Sequence, residues 1–373
     1  VLSGCVALMT VAETVPLAVF EVLRIAQAYG LLDGVPAQAW AWLGWAIYLA
    51  HVVWYLAIAL RVAHALGMVR LHLVAMLVCL AGIQALSTWQ SVGGVWRAKS
   101  ESAGSARADF VLSQEVFEAQ QAVWKKSVDA LAPQRAGVAD VYGLVFAPYA
   151  DEDVFLREST MVARLLESRF DAQGRVLQLA NHASTTQELP WATPLNLQRA
   201  VEALGRVMDR ENDLLVVYMT SHGASNHKLA ASHWPLKVGW ITPEDLRSAL
   251  DAAGIRHRVV AISACYSGGW IEPLANADTL VMTAADATHT SYGCGSLSEL
   301  TFFGRAVFDE QLRGTHSFED AFSKAVPVIR QREEEAGKSD GFSNPQISVG
   351  DSIRPRLEGV RQRLDTAATP AGG

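Results

Sequence analysis

Charge is almost missing from the first quarter of this chain. Residues 1–96 hold six charged side chains (Glu13, Glu21, Arg24, Asp33, Arg61 and Arg70), whereas the whole chain has 31 Lys and Arg and 38 Asp and Glu. Cysteine is scarce as well, with 4 in 373 residues. That excludes a small disulfide-stapled scaffold. Basic charge is not in excess, since the net charge is −7. A nucleic-acid binder usually shows a basic face, so none is expected here. Several motifs are absent: GxGxxG, the GxxxxGK[ST] phosphate loop, HExxH, CxxC and any internal repeat. Dinucleotide, nucleoside triphosphate and common zinc sites therefore have no support.

What the first quarter does have is apolar length. No charge occurs from Gly34 to Leu60 or from Leu71 to Trp96. About 20 helical residues cross a hydrocarbon layer of about 30 Å. Two transmembrane helices are expected, at about 39–60 and 71–90. Trp40, Trp42, Trp89 and Trp96 lie near the ends of these runs, where aromatic rings favour the membrane–water interface. The start, VLSGCVALMTVA, reads equally as the end of a third span, an interfacial helix or a signal-like segment. Arg61 and Arg70 on one side nearly balance Arg97, Lys99 and Arg107 on the other, so orientation stays open. His51 and His72 read as neutral rings at the spans. Cys5 and Cys79 read as structural.

Residues 97–109, RAKSESAGSARAD, are small and polar and form a juxtamembrane linker. An amphipathic helix is expected over 110–131. Then β-branched runs alternate with helical stretches. Strands are expected at 141–146, 176–180, 214–220, 258–263 and 279–284. Helices are expected at 154–169, 195–208, 243–252, 299–312 and 317–335. Thr242 is placed to cap the helix that Pro243 opens. Unbroken apolar strands separated by helices indicate an α/β fold whose sheet is mostly parallel and covered on both faces.

The chemistry falls at two strand ends, where functional groups of open α/β sheets gather. His222 follows the strand at 214–220 in YMTSHGAS. Cys265 follows the strand at 258–263 in AISACYSGG. A thiol needs a base nearby to become a nucleophilic thiolate. If the strands are neighbours, His222 supplies it. The N–H groups of Gly223 and Cys265 are free to face an oxyanion. Taken singly, a Cys there reads as a small buried apolar group and a His as a bonded loop residue. A zinc set from His222, His227, His233 and Cys265 lacks any supporting motif. Cys294 reads as a thiol packed beside the pocket, with a disulfide or redox pairing to Cys265 as the alternative.

This ordered set resembles peptidase family C13, the legumain-like cysteine proteases of the caspase-like group. TSHG, SACYSGG, the stretch MTAADATHTSYGC at 282–294 and SELTFFG at 298–304 carry the resemblance. DVFLREST at 153–160 and NPQ at 344–346 fit bacterial members. The likeness spans about 138–350, and 351–373 is left as a tail. It implies a caspase-like three-layer α/β/α sandwich behind the membrane region. It implies a membrane-anchored cysteine endopeptidase acting on peptide or protein substrates, needing no metal or organic cofactor. His222 is then the general base and acid, and Cys265 the nucleophile. The N–H groups of Gly223 and Cys265 form the oxyanion hole. Ser263, Ser291 and Tyr292 match positions around the primary specificity pocket. The implied location is a bacterial inner membrane, multi-pass, with the side of the catalytic domain open. A transamidase of the same family and a silent binding module on the same fold are the alternatives. Two pocket acids of legumain-type enzymes are replaced here, by Ser263 and Arg305. Arg305 would favour acidic or polar substrate residues, whereas Asp151, Asp153 or Asp286 would favour Arg or Lys.

Overall fold

The computed structural model describes residues 110–368 apart from 296, 297 and 339, together with seven positions between 53 and 67. The chain divides into two units, Val1–Ser100 and Glu101–Gly373. Both expected transmembrane helices lie outside the described residues except at a few positions. Among the described residues, no helix is long and apolar enough to cross a membrane.

The second unit is built on one six-stranded sheet. Its strands are β1 (Val141–Ala147), β2 (Val176–Ala180), β3 (Leu214–Thr220), β4 (His257–Ser263), β5 (Thr279–Thr283) and β6 (Gln346–Val349), in the spatial order β2-β1-β3-β4-β5-β6. The first five run parallel. The sixth pairs antiparallel with β5, so the sheet is mixed. β6 is only half buried and polar at two of its four positions, so no apolar run marks it in the sequence.

β1, β3 and β4 are buried at every position, which explains their unbroken apolar runs. Successive residues still point to opposite faces. Leu144, Leu215, Val217, Val260 and Ile262 pack against α3 (Pro194–Val207) and α4 (Pro243–Ala252). Val145, Val216, Tyr218, Val259 and Met282 pack on the other face. There they meet α2 (Asp153–Arg169), a π-wound helix (Gly304–Gln311), α6 (Phe318–Glu335) and α7 (Arg354–Ala368). A four-residue helix, α5 (Ile271–Leu274), precedes β5, and α1 (Gln114–Asp129) comes first in this unit.

The helix ends follow their capping residues. The Thr242 hydroxyl accepts from the Asp245 N–H, and the Asp245 carboxylate accepts from the Thr242 N–H. Together these satisfy two of the donors that a helix start leaves open. The stretch read as a tail contains α7, whose Val360 and Leu364 are buried in the core. Its polarity hides this, because only a narrow stripe faces inward.

The strand order reverses between β1 and β3. β1 leads to β2 on one side, and the chain then returns to place β3 on the other. Crevices form beyond the carboxyl ends of strands at such a reversal.

Candidate active site

β3 and β4 are neighbours, paired in register down to Thr220 opposite Ser263. His222 and Cys265 each lie two residues past that pair. Adjacent strands are about 4.8 Å apart, so both groups emerge side by side at one sheet edge.

The Cys265 side is tightly held. Tyr266 sits in the left-handed region at φ 56°, a costly conformation for a residue with a side chain. Its N–H donates to the His289 carbonyl at 2.9 Å. A short turn, Ser267–Trp270, follows at once. Gly269 lies against the ring of His227, and a methyl group there would overlap it. The His227 ring in turn meets the Tyr266 carbonyl through Nδ1 at 3.0 Å.

The Cys265 sulfur receives the N–H of Ser291 at 3.3 Å. The thiol lies 3.7 Å from both the carbonyl and the hydroxyl of Ser291. The Cys294 thiol beside it is the largest influence, and it pulls the Cys265 thiol well below its usual range. Burial opposes this, and the N–H groups of Ser291 and Gly223 assist it. Cys294 moves the opposite way, held up by its bond to Cys265 and by burial. A thiolate at Cys265 is thus favoured by donors already in place.

The His222 side is held by rings. Tyr149, just past β1, meets the imidazole edge-on at 4.7 Å, and Phe155 of α2 does so at 5.0 Å. The His222 ring has no hydrogen bond to any described residue. Burial pushes its pKa down, so it is neutral near pH 7 and able to accept a proton. Gly223 is required by close approach. A methyl group there would overlap the carbonyl oxygen of Cys265.

The other expected site residues divide. Ser291 touches Cys265, as described. Tyr292, next to Ser291, is 38% exposed and packs edge-on against Phe302. Ser263 is 2% exposed, and its hydroxyl bonds to that of Thr301 at 2.9 Å. Its side chain is buried at the end of β4. Arg305 pairs with Glu299 at 2.7 Å. Asp151 accepts from Ser232, and Asp153 meets His182 and Arg157. Asp286 is enclosed by Thr288, His289 and Asn344. All four charges proposed for pocket preference are therefore engaged.

Sequence reasoning missed Glu158. This carboxylate on α2 is fully buried. Oε1 accepts from the hydroxyls of Tyr218 at 2.6 Å and Thr220 at 2.7 Å, and Oε2 accepts from the Thr301 N–H at 2.7 Å. Gly304 lies so close that a methyl group would overlap the carboxylate. Through Thr301 and Ser263 the network joins the ends of β3 and β4 to the segment that flanks Cys265. The signal was available. Phe155, Glu158, Val162 and Leu166 lie on one stripe of α2, and the other three are buried apolar groups, so Glu158 occupies a core position.

Among the described residues no three His, Cys, Asp or Glu side chains converge on a possible metal position. His227 is spent on Tyr266, and His233 is stacked on Phe110 at 4.0 Å.

A thiol and an imidazole stand at adjacent carboxyl ends of a mixed sheet, with Gly223 pressed against the Cys265 backbone, and form a candidate cysteine–histidine site on an α/β fold. Residues 196–349 match the peptidase C13 family. No curated protein matches the chain. Among solved structures, caspase-1 from Spodoptera frugiperda is similar over 57% of this chain and 89% of its own, at 13% identity and a TM-score of 0.42.

Proposed function

We propose that this protein is a membrane-anchored cysteine endopeptidase with a caspase-like sandwich, using Cys265 as nucleophile and His222 as base. The observation that carries this reading is the register of β3 and β4, which sets the two groups side by side. The C13 match over 196–349 supports it. The charge-free runs at 34–60 and 71–96 support the anchor.

His222 takes the thiol proton of Cys265, and the thiolate sulfur attacks the carbonyl carbon of a peptide bond. The developing oxyanion accepts the N–H groups of Gly223 and Cys265. Collapse breaks the C–N bond, and the leaving amine takes its proton from His222. Water then attacks the thioester, giving its proton to His222, and the acid product leaves with free Cys265. A neutral His222 can receive the proton of a thiol whose thiolate is favoured, and the order of roles is that of a two-step acyl transfer.

The test is cleavage of a peptide library by the full chain in detergent, scored by the residue before the cut. Cys265→Ala should remove all cleavage and leave the circular dichroism spectrum unchanged. Cleavage that survives in that variant contradicts the assignment. Adding an amine nucleophile to the same assay separates hydrolysis from amine transfer by the products.

A further inference from the structure

Six large apolar side chains of the second unit stand exposed: Val111, Phe117, Leu195, Trp234, Trp240 and Tyr292. Tyr292 lies next to Ser291. Phe117 belongs to one aromatic cluster with Phe110, Trp191 and His233, and Val111 and Trp234 are chain neighbours of that cluster. Phe110, next to Val111, stacks on His233 at 4.0 Å. Phe117 meets Trp191 edge-on at 5.6 Å, and Trp191 meets His233 at 5.7 Å. Trp234 follows His233 and is 78% exposed. Gly239, next to Trp240, approaches Pro194, next to Leu195. Exposed apolar side chains of a soluble surface are ordinarily scattered singly, and a contiguous set marks a contact site.

We propose that this face rests in the headgroup layer of a lipid bilayer and holds the catalytic cleft at the membrane surface. The inference rests on the reading of residues 34–96 as membrane-spanning.

Three observations favour a bilayer over a protein partner. The first is composition. Trp234 and Trp240 flank the exposed Lys237, and tryptophan with lysine suits an interface that is apolar below and wet above. Burial pushes His233 down to about 4, so its ring adds no charge. The second is the path of the chain. Phe110 is part of this face, and only the polar stretch 97–109 separates it from Trp96, where the second charge-free run ends. Thirteen residues reach at most about 45 Å even when fully extended, so the tether permits this face to meet the bilayer. The third is direction. The Ser232 N–H donates to the Pro148 carbonyl at 3.0 Å, and Tyr149 next to it packs on His222 at 4.7 Å, so seating the segment that carries Trp234 on lipid sets His222 near the surface. The substrates implied are peptide segments close to the bilayer. Glu115 and Glu118 flank Phe117, so aromatic insertion rather than attraction to anionic lipid is the driving interaction.

The test uses the full chain reconstituted in phosphatidylcholine vesicles, with plain or brominated acyl chains. Subtracting the emission of the Trp234→Phe, Trp240→Phe variant isolates the two rings. The proposal expects a blue-shifted difference emission, most of which is lost in brominated lipid. Red-shifted emission quenched by aqueous iodide would overturn it. So would blue-shifted emission that bromine does not quench, which means that a second copy or another protein surface covers the face. Flotation tests the anchor separately. A chain that fails to float with vesicles overturns both readings, and a floating chain with unquenched rings overturns this one alone. The Trp234→Ser, Trp240→Ser variant should cleave a free peptide normally and the same peptide on a lipid tether more slowly. Equal loss on both would make the rings part of the substrate groove and overturn the inference.

Discussion

After Ser263 the chain turns at once, through Cys265, a left-handed Tyr266 and a four-residue turn whose glycines lie against neighbouring groups. After Thr220 it passes His222 and then travels through an exposed, tryptophan-bearing segment before α4 begins at Pro243. Both strand ends carry a proposed reacting group, yet they are built differently. The thiol is fixed by backbone bonds and a second thiol. The imidazole is fixed by ring packing and keeps its nitrogens open. A nucleophile gains from donors already in place, because reorganisation costs barrier height. A base that must take a proton and then return it gains from free nitrogens.

This contrast can be broken at several points. The largest effect after loss of the nucleophile belongs to His222→Ala. Its kcat/KM should fall by about 10²–10⁴, the usual range for a general acid–base, while alkylation of Cys265 by a small electrophile persists. Loss of both would show that the thiolate depends on the imidazole. Gly223→Ala comes next. The added methyl group must displace the Cys265 carbonyl, moving an oxyanion donor, and kcat should fall by roughly 10²–10³ with a smaller change in KM. A variant with wild-type kcat would place the oxyanion donors elsewhere.

Glu158→Leu tests the floor beneath both ends. It leaves the Tyr218 and Thr220 hydroxyls and the Thr301 N–H without their acceptor, at about 1–3 kcal/mol for each buried group left unpaired. Thermal unfolding should show a marked loss of stability, and Glu158→Gln should lose less because one acceptor remains. Equal stability of the two would mean that the hydrogen bonds do not matter. The smallest effect is that of Cys294→Ala. Without the donor to Cys265, the thiol pKa rises toward its ordinary value of about 8.5. Thiolate forms as pH rises through that pKa, so the variant should lose alkylation rate on the acid side only. An unshifted pH profile would remove Cys294 from the site.

Much of this was legible in the residues. β2 and β3 match their apolar runs at both ends, and β4 and β5 differ by one residue, because buried parallel strands must be apolar throughout. The positions of His222 and Cys265 followed from those ends. Glu158 was not read, because a glutamate within a polar-looking helix passes for a solvated one unless its stripe is traced. β6 and α7 were missed because partial burial demands little apolar sequence. Ser263 matched a pocket position by resemblance, and its bond to the Thr301 hydroxyl was not legible in the sequence.

The central claim is that Cys265 is the acylated nucleophile and that its neighbours make it so. It is tested most directly by intact-mass and peptide-mass analysis of the full chain after exposure to a peptidyl electrophile. The account predicts one adduct, on Cys265, formed fastest with the wild type and absent in Cys265→Ala. An adduct on Cys294 or any other residue, or none while peptides are still being cleaved, would contradict it.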